Sequence, residues 1–247
     1  MKKLKIAAVS YINTWPFLAG LKQSELASEI ELFLVPPSQC ARLFEEGTVD
    51  VALTPVGVLP EMRPHKMITD FGICCDGAVR TVALMSQVEM EKIEAVQLDA
   101  DSKTSNLLVQ ILARDYWKKE WHFFHTDDVS HWEDKPNCAR IAIGDKVFAL
   151  EEKVAFKWDL GAAWKSMTGL PFTFAVWISD PELSEKTENL LNLSFLKGVQ
   201  SIDKMKLERL QHQYLKENIS YHLDEKKREA MDQFLGQIQT FALQHSI

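Results

Sequence analysis

The chain has 247 residues, 46% hydrophobic and 26% charged, enough for one large globular domain or two of ordinary size. Its 28 basic and 35 acidic residues leave a formal charge of −7 with no basic stripe, which disfavours nucleic acid as a partner. No stretch reaches the roughly 18 to 20 apolar residues of a membrane span. Cys40, Cys74, Cys75 and Cys138 show neither paired C-x-x-C spacing nor a nearby histidine cluster, so no zinc site or disulfide framework is expected.

The opening "MKKLKIAAVSY" places lysines ahead of apolar residues, yet its apolar run, Ile6 to Val9, is too short for an export signal. It reads as a first strand, and a cytoplasmic protein is expected. "WPFLAGLKQS" follows as a helix, "IELFLVP" as a second strand, "PSQCARLFEEG" as a helix capped by Ser38, and "VDVALTPV" as a third strand. Such a β-α-β-α-β unit brings its strand ends, Ser10 to Asn13 and Thr54 to Val56, to one carboxyl edge, where open α/β sheets bind ligands.

Two extended runs, "MITDFGIC" and "AVRTVALMS", are joined by a turn at Cys75-Asp76-Gly77. A second alternation follows: strand "EAVQLDA", helix "SKTSNLLVQILARDYW", strands "WHFFHT" and "ARIAIGD", short helix "KVFALEE", then a helix ending at Gly169 and a strand from about Pro171. Asp180-Pro181 suits a helix start, and the remainder reads as helical. In the last helix Met231, Phe234, Leu235, Ile238, Phe241 and Ala242 form one apolar face. The expected fold class is α/β with mostly parallel sheets in two lobes, residues 1–85 with 178–247 and residues 86–177, and a small-molecule cleft between them.

In "LDADSKTSNLL" a strand ends at Asp99 and Asp101, Ser102, Thr104 and Ser105 surround a helix start. These residues serve as caps, or they combine hydroxyls with free helix N–H groups to hold an anion. Without a Gly-rich phosphate motif, carboxylate is the better candidate. Asn13 is either a turn residue or an amide that orients a reacting hydroxyl. Thr54 ends the third strand, and Val56 after Pro55 keeps a free N–H. Gly144 permits close approach of a ligand, and Asp145 caps the next helix or touches substrate. The seven histidines show neither H-E-x-x-H nor an evident nucleophile partner. Trp15 sits beside the expected pocket, whereas Trp164 and Trp177 lie on apolar faces and read as core.

Together "VSYINTWPFLAGL", "DVALTPVGVLP", "GAVRTVALMS", "LDADSKTSNLL", "ARIAIGDKVFAL", "WDLGAAWKSMTGLPFTFAVW" and "ENISYHLDEKKREAMDQF", in this order, resemble the chorismate dehydratase family of the futalosine route to menaquinone. The resemblance implies a two-lobed, type II periplasmic-binding-protein-like fold, chorismate as the small-molecule partner, and its dehydration to 3-[(1-carboxyvinyl)oxy]benzoate without a cofactor. It places Asn13 at the reacting centre and Ser10, Thr54, Val56, Ser86, Ser102, Thr104, Ser105, Gly144 and Asp145 around the substrate. Lys103 stands where that family commonly has Arg, which removes any bidentate contact there; "ALMS" replaces its usual "LLFS" before Ser86. With no strong protein base in view, the substrate's own enolpyruvyl carboxylate is the expected proton acceptor.

Two alternatives remain open at this level. The 1,4-dihydroxy-6-naphthoate synthase family shares the fold but has a His-Glu pair where this chain has Gly144-Asp145, and Thr-Thr-Ala where it has Thr104-Ser105-Asn106. A non-catalytic binder of a small carboxylate is the other. Oligomeric state is not readable from the sequence.

Overall fold

The computed structural model describes residues 3–125 and 135–245. In chain order the first half holds β1 (Leu4–Val9), α1 (Trp15–Lys22), β2 (Ile30–Val35), α2 (Pro37–Glu45), β3 (Val51–Pro55), β4 (Lys66–Cys75), β5 (Val82–Ser86), β6 (Ala95–Gln97) and α3 (Lys103–Leu112). The second half holds β7 (His122–Phe124), β8 (Cys138–Ile143), α4 (Lys146–Leu150), β9 (Phe156–Asp159), α5 (Leu160–Thr168), β10 (Phe172–Ser179), α6 (Glu185–Gln200), α7 (Arg209–Gln213), β11 (Ser220–His222) and α8 (Glu225–His245).

The strands form two sheets, ordered β11-β4-β10-β3-β1-β2 and β7-β6-β8-β5-β9. In the larger, β1 runs parallel to β2 and β3, while β10 is antiparallel to β3 and β4. In the smaller, β6 is parallel to β7 and β8, while β5 is antiparallel to β8 and β9. The sheets are therefore mixed, not mostly parallel. The strands flanking the passages between sheets, β5 and β10, run against their β-α-β neighbours, because a chain that leaves one sheet for another returns in the opposite sense.

Sheet membership also moves the division expected between residues 85 and 86 and between 177 and 178. Val82–Ser86 pairs within the smaller sheet and all of Phe172–Ser179 within the larger, so a division that follows the sheets passes through 76–81 and 169–171. Three local expectations change as well. Helix α2 starts at Pro37 after Pro36, and the Ser38 hydroxyl reaches instead for Asp101 at 3.5 Å. Helix α6 is capped by Ser184, which accepts Thr187 N–H at 3.2 Å, four residues beyond Asp180. The C-terminal part is not all helical, since β11 adds an edge strand to β4; β9, "FKWD", is a strand the sequence reading passed over.

The core of the larger lobe is aromatic. Phe17 of α1 meets Trp177 edge-on at 5.6 Å and Phe195 at 4.9 Å, and Trp177 stacks on Phe195 at 4.6 Å. Trp164 and Trp177 are fully buried, as expected. Met231 and Phe234 bury the inner face of α8; Ala242 lies outside the residues whose side chains are described. All four cysteines are buried free thiols, and burial pushes Cys40 up to about 12. No helix among the described residues is long and apolar enough to cross a membrane.

Candidate functional site

Between the sheets lies a small cavity of about 60 Å³. Val9, Tyr11 and Asn13 reach it from the end of β1, Ser102 and Ser105 from the start of α3, and Gly144 from the end of β8. Thr81 and Val82 reach it from the start of β5, and Phe174 from β10. Among the described residues the wall carries hydroxyls, an amide and apolar groups, with no charged side chain and no histidine.

The two serines at the start of α3 order each other. Ser102 caps α3 by accepting the Ser105 N–H at 3.2 Å and donates its own hydrogen to Ser105 Oγ at 2.9 Å. Both capping and cavity lining are thus realised in one residue, and the Ser105 hydroxyl hydrogen is left for the cavity. Asn106, on the next turn position, braces the strand end by bonding both the N–H and the carbonyl of Asp99, at 3.0 and 2.7 Å. Tyr11 stays protonated: burial raises its pKa first, and Asp101, Asp99 and Asp145 raise it further. A neutral phenol is a donor.

Asn13 sits just before α1 and is held from behind. The Tyr221 hydroxyl donates to its main-chain carbonyl at 3.0 Å, and the Thr14 hydroxyl to its Oδ1 at 3.3 Å. Its amide approaches the phenol of Tyr214.

Asn13, Ser102, Ser105 and Gly144 therefore meet at one cavity, and the other expected residues do not line it. Ser10 faces solvent and Thr54 is fully buried, because side chains alternate along a strand: Val9, Tyr11 and Pro55 point inward, so their neighbours cannot. Val56 is buried in the core. The Thr104 hydroxyl accepts Gly57 N–H at 3.0 Å and donates to the Phe174 carbonyl at 3.5 Å, a strut between the lobes, since adjacent helix positions diverge by about 100°. Ser86 is buried and bonds Cys138 O and Val88 N. Being antiparallel to β8, β5 presents its amino end to the cavity and leaves Ser86 about 13 Å away at the rise of a strand. Trp15 is off the wall and 37% exposed. The sequence reading missed Tyr11 within its own "SYIN" stretch, Thr81, and the two supporting tyrosines; reversal of β5 was the signal needed for Thr81.

Gly144 and Asp145 work as a clasp. Gly144 adopts φ +68° under the Tyr11 ring, and a Cβ there would lie 2.6 Å from that ring. Asp145 accepts the Ile12 N–H with both carboxylate oxygens at 3.2 Å, tying the α4 end of one sheet to the β1 end of the other. Desolvation raises its pKa, against the lowering effect of Ile12 N–H. A proton is then held more tightly in the closed cleft than in an opened one where Asp145 meets water, so falling pH across the carboxylate range favours closure and rising pH weakens it. Ligand affinity of the parent should tighten from about pH 6 toward pH 4.5, while Asp145→Asn shows no such trend. Asp145→Ala, which deprives Ile12 of its acceptor, should bind about fivefold more weakly at neutral pH, the scale of one hydrogen bond; calorimetric titration across pH reads both.

Two sheets joined by crossing strands around a central cavity define the periplasmic-binding-protein class. The chain superposes on a protein of Archaeoglobus fulgidus with a TM-score of 0.77 at 12% identity, over 98% of each chain. It also superposes on a Candida albicans protein described as having the generic periplasmic binding protein fold, with a TM-score of 0.68 at 9% identity, over 97% of this chain and 91% of that one. At such identities the likeness concerns fold alone. Within that class the chain belongs to the menaquinone biosynthesis family, whose pattern it matches over residues 4–240. A chorismate dehydratase of Campylobacter jejuni is 27% identical over 172 residues, 68% of this chain and 63% of that protein, so the match spans less than two thirds of the relative.

Proposed function

We propose that this protein is a cytoplasmic chorismate dehydratase, forming 3-[(1-carboxyvinyl)oxy]benzoate on the futalosine route to menaquinone. The observation that carries the reading is the chemistry of the cavity wall: hydroxyls, an amide, apolar side chains and, among the described residues, no charge and no histidine. Chorismate offers the complement, an apolar ring bearing two carboxylates, an ether oxygen and a hydroxyl, all acceptors. Neutral donors can hold these groups without the cost of burying a lysine or arginine.

In the reaction the C3–H bond breaks, its electron pair becomes the new C3–C4 double bond, and the C4–O bond breaks. The hydroxide leaves with the abstracted proton as water. Aromatisation drives the step, so orientation is the main task left to the protein. Asn13 is assigned to the departing hydroxyl and Ser105 with the α3 N-terminus to a carboxylate. No basic side chain lines the wall among the described residues, which supports the substrate's enolpyruvyl carboxylate as the base. The same feature disfavours a naphthoate synthase acting through a histidine; His131 lies outside the described residues.

Purified protein given chorismate without added metal or nucleotide should yield an aromatic product 18 mass units lighter, seen by ultraviolet absorption and mass spectrometry. Tight binding of unchanged chorismate would identify a non-catalytic binder instead.

A further inference from the structure

The larger sheet ends at β2, which among the described residues pairs with β1 alone. At six residues β2 is the longest of the four sheet edges; β7 and β11 have three residues each and β9 has four. Its sequence, "IELFLV", carries none of the usual guards of an edge: no lysine, no proline, no bulge against β1, and a single charge at Glu31.

The direction of its backbone groups follows from its two ends. Leu4 N–H donates to the Glu29 carbonyl at 2.8 Å and Ser10 N–H to the Val35 carbonyl at 3.1 Å. Along a parallel ladder alternate residues face the neighbour, so Glu31, Phe33 and Val35 are committed to β1. The N–H and C=O groups of Ile30, Leu32 and Leu34 point outward. Pro36 closes this row, since it has no N–H and its carbonyl already accepts Gln39 N–H at 3.0 Å. The side chains of Ile30, Leu32 and Leu34 share one face of the sheet. On it Leu34, 49% exposed, lines a surface groove with Trp15, Leu18, Lys22 and Met205.

We propose that β2 joins two copies of this chain, laid antiparallel about a two-fold axis through Leu32, so that two six-stranded sheets become one. Leu32 faces Leu32 of the second copy, and Ile30 faces its Leu34. Each of these three residue pairs exchanges two hydrogen bonds, and every outward group is used. A two-fold axis perpendicular to the sheet keeps like faces together, so residues shift by two in any other register. Moving the axis to Phe33 sets Ile30 against Pro36 and forfeits two of the six bonds. Right-handed crossovers cover the two faces of β2 with α1 and α2, so the sheet end is about 30 Å deep and about 20 Å long. That offers about 600 Å² per copy, or about 1,200 Å² in all, the lower limit of a specific interface. The axis also runs α1 antiparallel to its copy, which sets the Lys22 end of each beside the exposed Trp15 of the other, a cation toward an indole ring.

Sedimentation equilibrium of the parent from about 1 to 200 µM should show a reversible dimer with a micromolar dissociation constant, the strength such an area supports. Leu34→Lys sets an ammonium against Ile30 of the second copy, and Leu34→Pro deletes two of the six bonds while removing none to β1. Each should weaken the dimer at least about tenfold with the circular dichroism of the parent; should proline prevent folding, the lysine variant decides. Leu196→Lys, exposed on α6 outside the groove, should leave the dimer unchanged. Because the native cysteines are buried, an introduced thiol reports the register. Leu32→Cys should cross-link to its own copy under a mild oxidant, whereas Leu34→Cys, roughly 14 Å from its copy, should not. A parent that stays monomeric throughout overturns the proposal in favour of a strand from another protein. A dimer that survives the Leu34 variants, that Leu196→Lys dissolves equally, or that cross-links through Leu34→Cys and not Leu32→Cys also overturns it.

Discussion

Gly198→Ala should destabilise the protein by about 3 kcal/mol, lowering Tm by about 6 to 12 °C. In an open helix the same change would help, by up to about 1 kcal/mol, because alanine is the better helix former. At this position a Cβ would lie 1.9 Å from the Pro16 carbonyl oxygen and 2.9 Å from the Gly20 nitrogen. Gly20 faces back in the same way, its own Cβ falling 1.9 Å from the Ser194 carbonyl oxygen. Helices α1 and α6 thus touch backbone to backbone, and backbone cannot swing aside as a side chain can. Accommodation means pushing α1 outward, which separates Phe17 from Phe195 and Trp177. Gly236→Ala in α8 is the control: nothing lies within 4 Å of its Cβ, so this variant should be neutral or slightly stabilised. Thermal unfolding of both reads the contrast, and equal melting temperatures would show that α1 and α6 do not pack as described. Because Asn13 lies in the turn that leads into α1, one residue before its cap Thr14, the Gly198 variant should also lose activity below its melting range.

Asn13→Ala should reduce kcat/KM for chorismate by about 10²- to 10³-fold, the usual range for removing one preorganised donor. The loss is expected mainly in kcat, since a contact to the departing hydroxyl strengthens as the C4–O bond breaks. The fold should survive, because the Tyr221 hydroxyl holds Asn13 through its main-chain carbonyl, which every variant keeps. Asn13→Asp preserves the shape but places a carboxylate facing an anionic substrate, so it should be as damaging as alanine and raise KM as well. Steady-state rates with a melting control measure this; an Asn13→Ala enzyme at normal turnover would remove Asn13 from the reaction.

The sequence made much of the site legible. The polar end of "KIAAVSYIN" and the serines of "DSKTSN" are local signals, a strand that stops in hydrogen-bonding groups and a helix that starts with a cap, and Asn13, Ser102 and Ser105 do share a cavity. What local patterns cannot express is direction. Ser86 looked like a cleft residue because it ends a strand, and β5 runs the opposite way from β8, so its beginning meets the cavity. Ser10 and Thr54 sit one position out of phase with the inward side chains of their strands.

By itself, then, the sequence determined an α/β chain, the Ser102 cap of α3 and the Gly169 end of α5, its buried tryptophans, and the two short stretches that open on the cleft. Each depends on neighbours within a few residues, through periodicity, capping and turn chemistry. Only the tertiary structure decided which hydroxyls are spent on the protein and which remain for a ligand. Thr104 is committed to Gly57, 47 residues away, and Asp145 to Ile12, 133 away. Thr81 shares a hydrogen bond with Tyr214, likewise 133 residues distant. A hydroxyl has one hydrogen, and where it points is settled by whichever partner the fold brings beside it.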